Sequence, residues 1–139
     1  MSSPEAYAKP VPVPDPDSAP FWAGCRERRL MIQHCDDCGR NQFPPSNICA
    51  HCGSGRLTWI EASGAGKVFS WIVVRHPVPK PVYAKDVPYV VALVELAEGV
   101  RMPTNIIGCA PDDIVADMPL KVTFREVADE VVLPLFEPA

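Results

Sequence analysis

Two cysteine pairs, Cys35-Asp-Asp-Cys38 and Cys49-Ala-His-Cys52, restrict this chain more than any other feature, because two such knuckles can bring four thiolates tetrahedrally onto one Zn²⁺. The expected ligands are Cys35, Cys38, Cys49 and Cys52. Gly39 and Gly53 follow the second cysteine of each pair, where glycine lets the backbone turn through positive φ with its amides toward the sulfurs. A set of four thiolates leaves no open coordination position, so the metal is expected to be a structural staple. His51 lies between two ligands and is expected to face solvent. The alternative reading of six paired cysteines is a disulfide framework. Met1-Ser-Ser-Pro-Glu opens a polar stretch with neither a basic nor an apolar leader region, so the expected compartment is the reducing cytoplasm, where paired cysteines hold metal.

At 139 residues the chain is one domain's length. Its longest apolar stretch, about Val90 to Val94, is far too short to cross a bilayer, and no membrane partner is expected. The net charge of −4 weighs against a nucleic-acid partner. Charge is uneven: residues 21–60 carry five Arg against three acids, whereas residues 61–139 carry seven Lys or Arg against eleven acids. The basic half is also the half that would hold a dianionic zinc–thiolate cluster.

Proline sets the organisation. Pro4, Pro10, Pro12, Pro14 and Pro16, closed by Pro20, make residues 1–17 an extended polyproline-like arm, either disordered or laid along a partner. Asp17-Ser18-Ala19-Pro20 reads as a helix start, and a short helix is expected from about Pro20 to Arg29. Its sticky face carries Phe21 and Trp22, which dock either on the chain's own body or on another subunit. Short strands at Leu30–Gln33, Gln42–Phe43 and Leu57–Ile60 complete a zinc ribbon over residues 18–60, too small to fold without its metal.

From Glu61 to the end the pattern is all-β. Strands are expected at Lys67–Val74, entered through a flexible Ser63-Gly-Ala-Gly66, at Tyr89–Leu96 and at about Val100–Cys109. A hairpin of Leu120–Val127 and Val131–Phe136 follows a helical turn at Pro111–Val115. Pro103 is expected at an edge or bulge. Five strands with connections of this size suggest an OB-fold barrel over residues 61–139, so the fold class is mainly β: short helix, four-cysteine ribbon, five-stranded barrel. No catalytic order of residues is evident, and Cys25 and Cys109 read as small buried hydrophobes.

The order Phe21-Trp22, Arg29-Leu30, Cys35-x-x-Cys38-Gly39, Phe43-Pro44-Pro45, Cys49-x-x-Cys52-Gly53, Gly64-x-Gly66-x-Val68-x-Ser70, Pro88-Tyr89 and Leu93-Val94-x-Leu96-x-x-Gly99 closely resembles the acyl-CoA-associated OB-fold family with an N-terminal rubredoxin-like zinc ribbon. The resemblance covers roughly residues 18–136. It implies an accessory subunit of a thiolase-superfamily enzyme: an acyl-CoA thiolase, a hydroxymethylglutaryl-CoA synthase assembly, an acyltransferase making phenolic ketones, or a retro-aldolase of steroid side-chain CoA esters. The catalytic residues then belong to the thiolase-like chain, and this chain shapes or closes the acyl-CoA site. The sequence departs from the family pattern at Asp117-Met118-Pro119, where a glycine is expected, and in the proline-rich stretch His76–Pro88.

That stretch holds Arg75, His76, Lys80, Tyr83 and Lys85 on a proline-stiffened connection at the place where OB-folds commonly bind ligands. Arg or Lys there would pair with the phosphates of a coenzyme A ester and Tyr83 would stack on adenine, or the loop is simply solvated or partner-facing. Phe21 and Trp22 are the candidate partner contacts. The alternative function is a nucleic-acid-binding ribbon/OB module. It calls for aromatics interleaved with cations on exposed strands, where this chain carries mainly Val, Ile and Leu.

Overall fold

The short strands expected after Glu61 resolve into a closed barrel, and the strands before it form a separate three-stranded sheet. The computed structural model describes residues 9–139. The arm is therefore seen from Lys9 onward, and Pro4 lies outside the described residues.

Helix α1 spans Ala19–Arg26. Its start is held by a reciprocal pair rather than by Asp17: the Ser18 amide donates to Asp15 Oδ1 at 2.7 Å and the Asp15 amide donates to Ser18 Oγ at 3.1 Å. These bonds close the turn just before the helix, and the Ala19 amide donates to the Asp15 carbonyl at 2.8 Å; Ser18, the N-cap, makes no side-chain bond to the first turn. The helix stops three residues short of expectation because Arg28 takes φ +61°, and the amides of Arg28 and Arg29 bond back to the Cys25 and Gly24 carbonyls at 3.0 and 2.8 Å. This is a left-handed C-terminal cap without its usual glycine, so nothing in the sequence announced it.

Strands β1 (Met31–Cys35), β2 (Asn41–Gln42) and β3 (Leu57–Glu61) form the ribbon sheet in the order β2-β1-β3, both pairs antiparallel. The barrel is β4 (Ala65–Val74), β5 (Tyr89–Leu96), β6 (Arg101–Ile106), β7 (Pro119–Ala128) and β8 (Val131–Pro138), closed in the order β4-β5-β6-β8-β7. Four neighbour pairs are antiparallel, and β6 meets β8 in parallel at a single position, Ile106 opposite Phe136. That is the five-stranded barrel of an OB-fold, and the mainly β class is as expected. Pro103 is paired in register only with Leu93 of β5, an edge position that tolerates the missing N–H.

Two details refine the expected strands. The entry at Ser63–Gly66 is tightly packed rather than slack: a Cβ on Gly64 would stand 2.6 Å from Val122 Cγ1, at a φ of +87°. A bulge between Val68 and Ser70 leaves both Phe69 and Ser70 exposed and re-aims the rest of β4.

One core serves helix, ribbon and barrel. Val68, Val94, Leu120 and Phe136 fill the barrel, and Phe21, Cys25, Leu30 and Ile32 join the same apolar cluster from α1 and the ribbon. Helix α1 packs on β1 and β8. Between ribbon and barrel, the Ala62 amide donates to the Leu30 carbonyl at 2.7 Å and Asn41 Nδ2 donates to the Glu98 carbonyl at 3.1 Å.

Candidate metal centre and the barrel cleft

The end of β1 delivers Cys35 to one knuckle, and the loop before β3 carries the other. The sulfurs of Cys35, Cys38, Cys49 and Cys52 all lie within 4.8 Å of one another. The nearest pairs cross between knuckles, Cys35 to Cys52 and Cys38 to Cys49, each at 3.6 Å. Four sulfurs on a tetrahedral Zn²⁺ stand about 3.8 Å apart, whereas a disulfide needs about 2.05 Å. The geometry is that of a metal site, and the disulfide alternative falls.

The knuckles are built alike. Gly39 and Gly53 have φ of +77° and +78°, and their amides donate to the Cys35 and Cys49 carbonyls, both at 2.9 Å. A Cβ would meet nothing within 4 Å at either glycine, so conformation rather than space selects the residue. The amides of Cys38 and His51 point at Cys35 Sγ and Cys49 Sγ at 3.5 and 3.3 Å, where they stabilise thiolate charge. His51 is exposed, with Nδ1 3.2 Å from Arg40 Nη1, and stands outside the donor set as expected.

Four thiols this close cannot all ionise unaided. Against an amide bond from Ser54, burial and the three neighbouring sulfurs push Cys52 up to about 12. Cys49, though burial opposes it, is brought down to about 6 by the amides of Cys52 and His51 and by its thiol neighbours. A divalent cation offsets the mutual repulsion of four thiolates, and the closed donor set fits a structural Zn²⁺ that holds the ribbon together.

The second knuckle hangs on residues 43–56, which contain no strand, and is positioned by two side chains that sequence reasoning missed. Gln33 and Gln42 are cross-strand partners and, among the described residues, are the buried polar ones, at 5 % and 6 % exposure. Gln33 satisfies Ser46 completely: Oε1 accepts from the Ser46 amide at 2.9 Å and Nε2 donates to its carbonyl at 2.8 Å. Gln42 Oε1 accepts from the Ala50 amide at 2.8 Å, and Nε2 donates both to Ile48 O at 3.1 Å and to Gln33 Oε1 at 2.8 Å. A lone polar residue at a strand position gives no sequence signal for this.

A cleft of about 780 Å³ opens on the barrel flank among Tyr83, Tyr89, Asn105, Cys109, Arg125 and Leu135. Lys9 and Pro10 of the arm line it too. The connection from β4 to β5 contains a short helix, α2 (Lys80–Tyr83), which brings Tyr83 to the cleft with its ring stacked on Tyr89 at 5.9 Å between centroids. One face of Tyr83 is therefore occupied. Arg75, His76, Lys80 and Lys85 are exposed and lie away from the lining, with Arg75 3.8 Å from Asp112. Of the five residues proposed around a coenzyme A ester, the fold brings Tyr83 alone to the cleft.

The partner-contact expectation divides. Phe21 is 3 % exposed, edge-on to Trp22 at 4.9 Å and tilted on Phe43 at 5.3 Å, so its area is consumed by the chain's own core. Trp22 stays half-buried, in a shallow hollow with Pro12, Pro14, Val131 and Val132. The described part of the arm thus lies along the chain's own body. Cys25 is fully buried, and burial pushes its thiol up to about 12; Cys109 is raised by burial and by the nearby Asp113. Neither thiol is activated. Among the described residues no helix is long and apolar enough to cross a membrane.

A four-cysteine zinc ribbon leading directly into a five-stranded OB barrel defines the class of protein. Residues 22–58 match the family described as the ChsH2 rubredoxin-like zinc ribbon domain, and residues 59–125 match the ChsH2 C-terminal OB-fold domain. The chain belongs to the ChsH2 (DUF35) family. It is 36% identical over 111 residues to a DUF35 domain-containing scaffold protein of Methanocaldococcus jannaschii, covering 78% of this chain and 77% of that one. It is 44% identical over 131 residues to a probable enoyl-CoA hydratase alpha subunit of Thermomonospora curvata, covering 94% of this chain but 40% of that longer protein. Among solved structures, one titled Ltp2-ChsH2(DUF35) aldolase superposes with a TM-score of 0.82 at 44% identity, over 91% of this chain and 98% of that one.

Proposed function

We propose that this chain is a non-catalytic, zinc-stapled subunit of an acyl-CoA enzyme assembly whose catalytic partner belongs to the thiolase superfamily, an aldolase or a thiolase. The observation that carries the reading is the likeness to nearly the full length of the ChsH2(DUF35) chain of an aldolase. The chemistry of this chain agrees with it. Its two non-ligand cysteines are raised, not activated, and its zinc has four protein ligands and no position for substrate.

The surface supports association with protein rather than nucleic acid. Phe69, Ile72 and Leu93 stand 44 %, 62 % and 36 % exposed on neighbouring strands β4 and β5, with the Arg101 guanidinium over the Phe69 ring at 3.7 Å, a mixed aliphatic, aromatic and arginine surface of the kind protein interfaces use. The cations beside it are neutralised: Lys67, Arg75, Arg101 and Lys121 each lie within 4.0 Å of a carboxylate. A nucleic-acid surface keeps such cations for phosphate. Within the assembly the chain shapes or closes the acyl-CoA site, with Tyr83 at the cleft and the adjoining connection, which carries Arg75, His76, Lys80 and Lys85, beside it. The compartment is the reducing cytoplasm, which keeps the thiolates on their metal.

The test is to mix the purified zinc-loaded chain with the aldolase Ltp2 of the solved assembly and measure complex formation and acyl-CoA turnover. A hetero-oligomer that is active only with both chains is expected. Acyl-CoA cleavage by this chain alone, lost on replacing Cys25 or Cys109, overturns the accessory role, and duplex or single-stranded DNA binding at moderate salt favours the ribbon/OB nucleic-acid module.

A further inference from the structure

We infer that Gln33 and Gln42 are positioning residues of the metal centre: together they prebuild the Cys49–Cys52 knuckle, so that the chain presents two of its four ligands in place before metal arrives. The two knuckles differ in what supports them. Cys35 ends a strand paired on both sides, with its own amide bonded to the Arg40 carbonyl at 2.8 Å. Cys49 follows a stretch with no ladder; its own amide is bonded to the Ser54 carbonyl at 2.8 Å, and the side chains that hold the approach to it are the two carboxamides. They bond the backbone of Ser46, Ile48 and Ala50, three, one and one residues from the ligand.

The carboxamide is the chemistry this requires. Each position needs a donor and an acceptor on one planar group, and Gln33 Oε1 must accept from Gln42 as well as from Ser46. A carboxylate at residue 42 would set negative charge against two oxygens, Ile48 O and Gln33 Oε1, in place of two donated bonds. An apolar side chain of equal length would leave the amides of Ser46 or Ala50 without acceptors. Both glutamines are buried, so water does not replace the lost partner cheaply. A loop so fixed binds zinc without ordering a ligand pair at that moment, and this appears as slow metal loss.

The experiment uses the full chain with Gln42→Met and Gln33→Met, singly and together. Zinc release to a chelating chromophore is expected to accelerate about tenfold or more in each single variant, the range found for groups that orient metal ligands. The double variant should be little worse than either single, because both belong to one network. The cobalt-substituted protein should show a shifted ligand-field spectrum in Gln42→Met, a change in site geometry that a general loss of stability would not produce. The unaltered chain stripped of metal gives an independent readout: the Ser46 and Ala50 amides should remain protected from hydrogen exchange. Wild-type release with an unchanged cobalt spectrum overturns the inference. So does exchange of those two amides at open-chain rates in the metal-free protein, which also decides the matter if the variants fail to fold.

Discussion

Lys9 Nζ lies 3.2 Å from Asp86 Oδ2, which fastens the proline arm to the connection between β4 and β5 before Pro12 and Pro14 pass Trp22. Prolines spaced by one residue hold the arm extended already, so little entropy is lost when it lies down. Deleting residues 1–14 should uncover Trp22. With Trp59→Phe and Trp71→Phe making Trp22 the sole indole, its emission should shift to the red and acrylamide should quench it more strongly. Asp86→Ala should do the same only slightly, since a half-exposed pair contributes under about 1 kcal/mol. Identical emission with and without the arm would show that it does not cover Trp22.

The metal should be indispensable to the closure of the two cysteine knuckles on each other and dispensable to the barrel strands. Cys49→Ser removes a thiolate from a closed set, and about thirty residues cannot bury enough surface to compensate. Elemental analysis should find about one zinc per unaltered chain and almost none in the variant. Exchange protection should be lost at the Asp36 and Gly39 amides of the first knuckle and kept in β5 and at the Ser46 and Ala50 amides, while the melting point falls because Leu30 and Ile32 share the barrel's core. A fully folded chain without metal defeats the structural role of the zinc.

Cys25 makes stability fall at alkaline pH. Its thiol titrates at about 12 in the folded chain against 9.0 for the ordinary group, because burial disfavours the thiolate. Below about pH 9 both states keep the proton and the thiol adds no slope. Between about 9 and 12 the unfolded chain releases it first, so stability drops as pH rises, by an amount on the order of 1.4 kcal/mol per unit. Cys25→Val should flatten that limb in denaturant titrations at successive pH values. An equally steep limb in the variant assigns the effect to other groups.

The zinc ligands and the five barrel strands were legible because cysteine spacing, and apolar runs separated by turn residues, are carried by residues in order along the chain. What escaped was carried by contacts between distant residues. Gln33 and Gln42 are ordinary polar residues until β1 and β2 pair and bury them together. The end of α1 depends on Arg28 adopting a glycine's conformation, and Phe21 and Trp22, adjacent in sequence, separate into core and surface only once α1 packs on β8.

Asp117 was legible as a departure from the family pattern, and the structure explains it. It sits at φ +64°, the left-handed conformation for which the family's glycine is suited. Its carboxylate faces Lys67 at 3.7 Å, but both groups are largely exposed. Asp117→Gly should therefore stabilise the chain by up to about 1 kcal/mol, relief of backbone strain exceeding the loss of a solvated ion pair. Thermal unfolding checks it, and a lowered melting point would give the ion pair the larger share.

Phe21, Trp22 and Ile72 should fail in different ways. Phe21 is wholly within the chain's core, so Phe21→Ala should destabilise the free subunit by about 3–5 kcal/mol, as large-to-small core changes do. Ile72 is 62 % exposed and outside the buried core, so Ile72→Asp should lower the melting point only slightly and leave zinc content unchanged. If the outer face of β4 and β5 meets the catalytic partner, the same change places a charge in an apolar contact and should weaken the complex with Ltp2 by about 2 kcal/mol or more. Trp22 is intermediate: half-buried and roofed by the arm, it should show a modest loss of stability on Trp22→Ala and a loss of affinity only where the partner displaces Pro12 and Pro14. Calorimetric titration of the three variants against Ltp2, with the melting point of each free subunit beside it, separates these outcomes. Full affinity in Ile72→Asp with weakened binding in Trp22→Ala moves the interface from the barrel face to the helix.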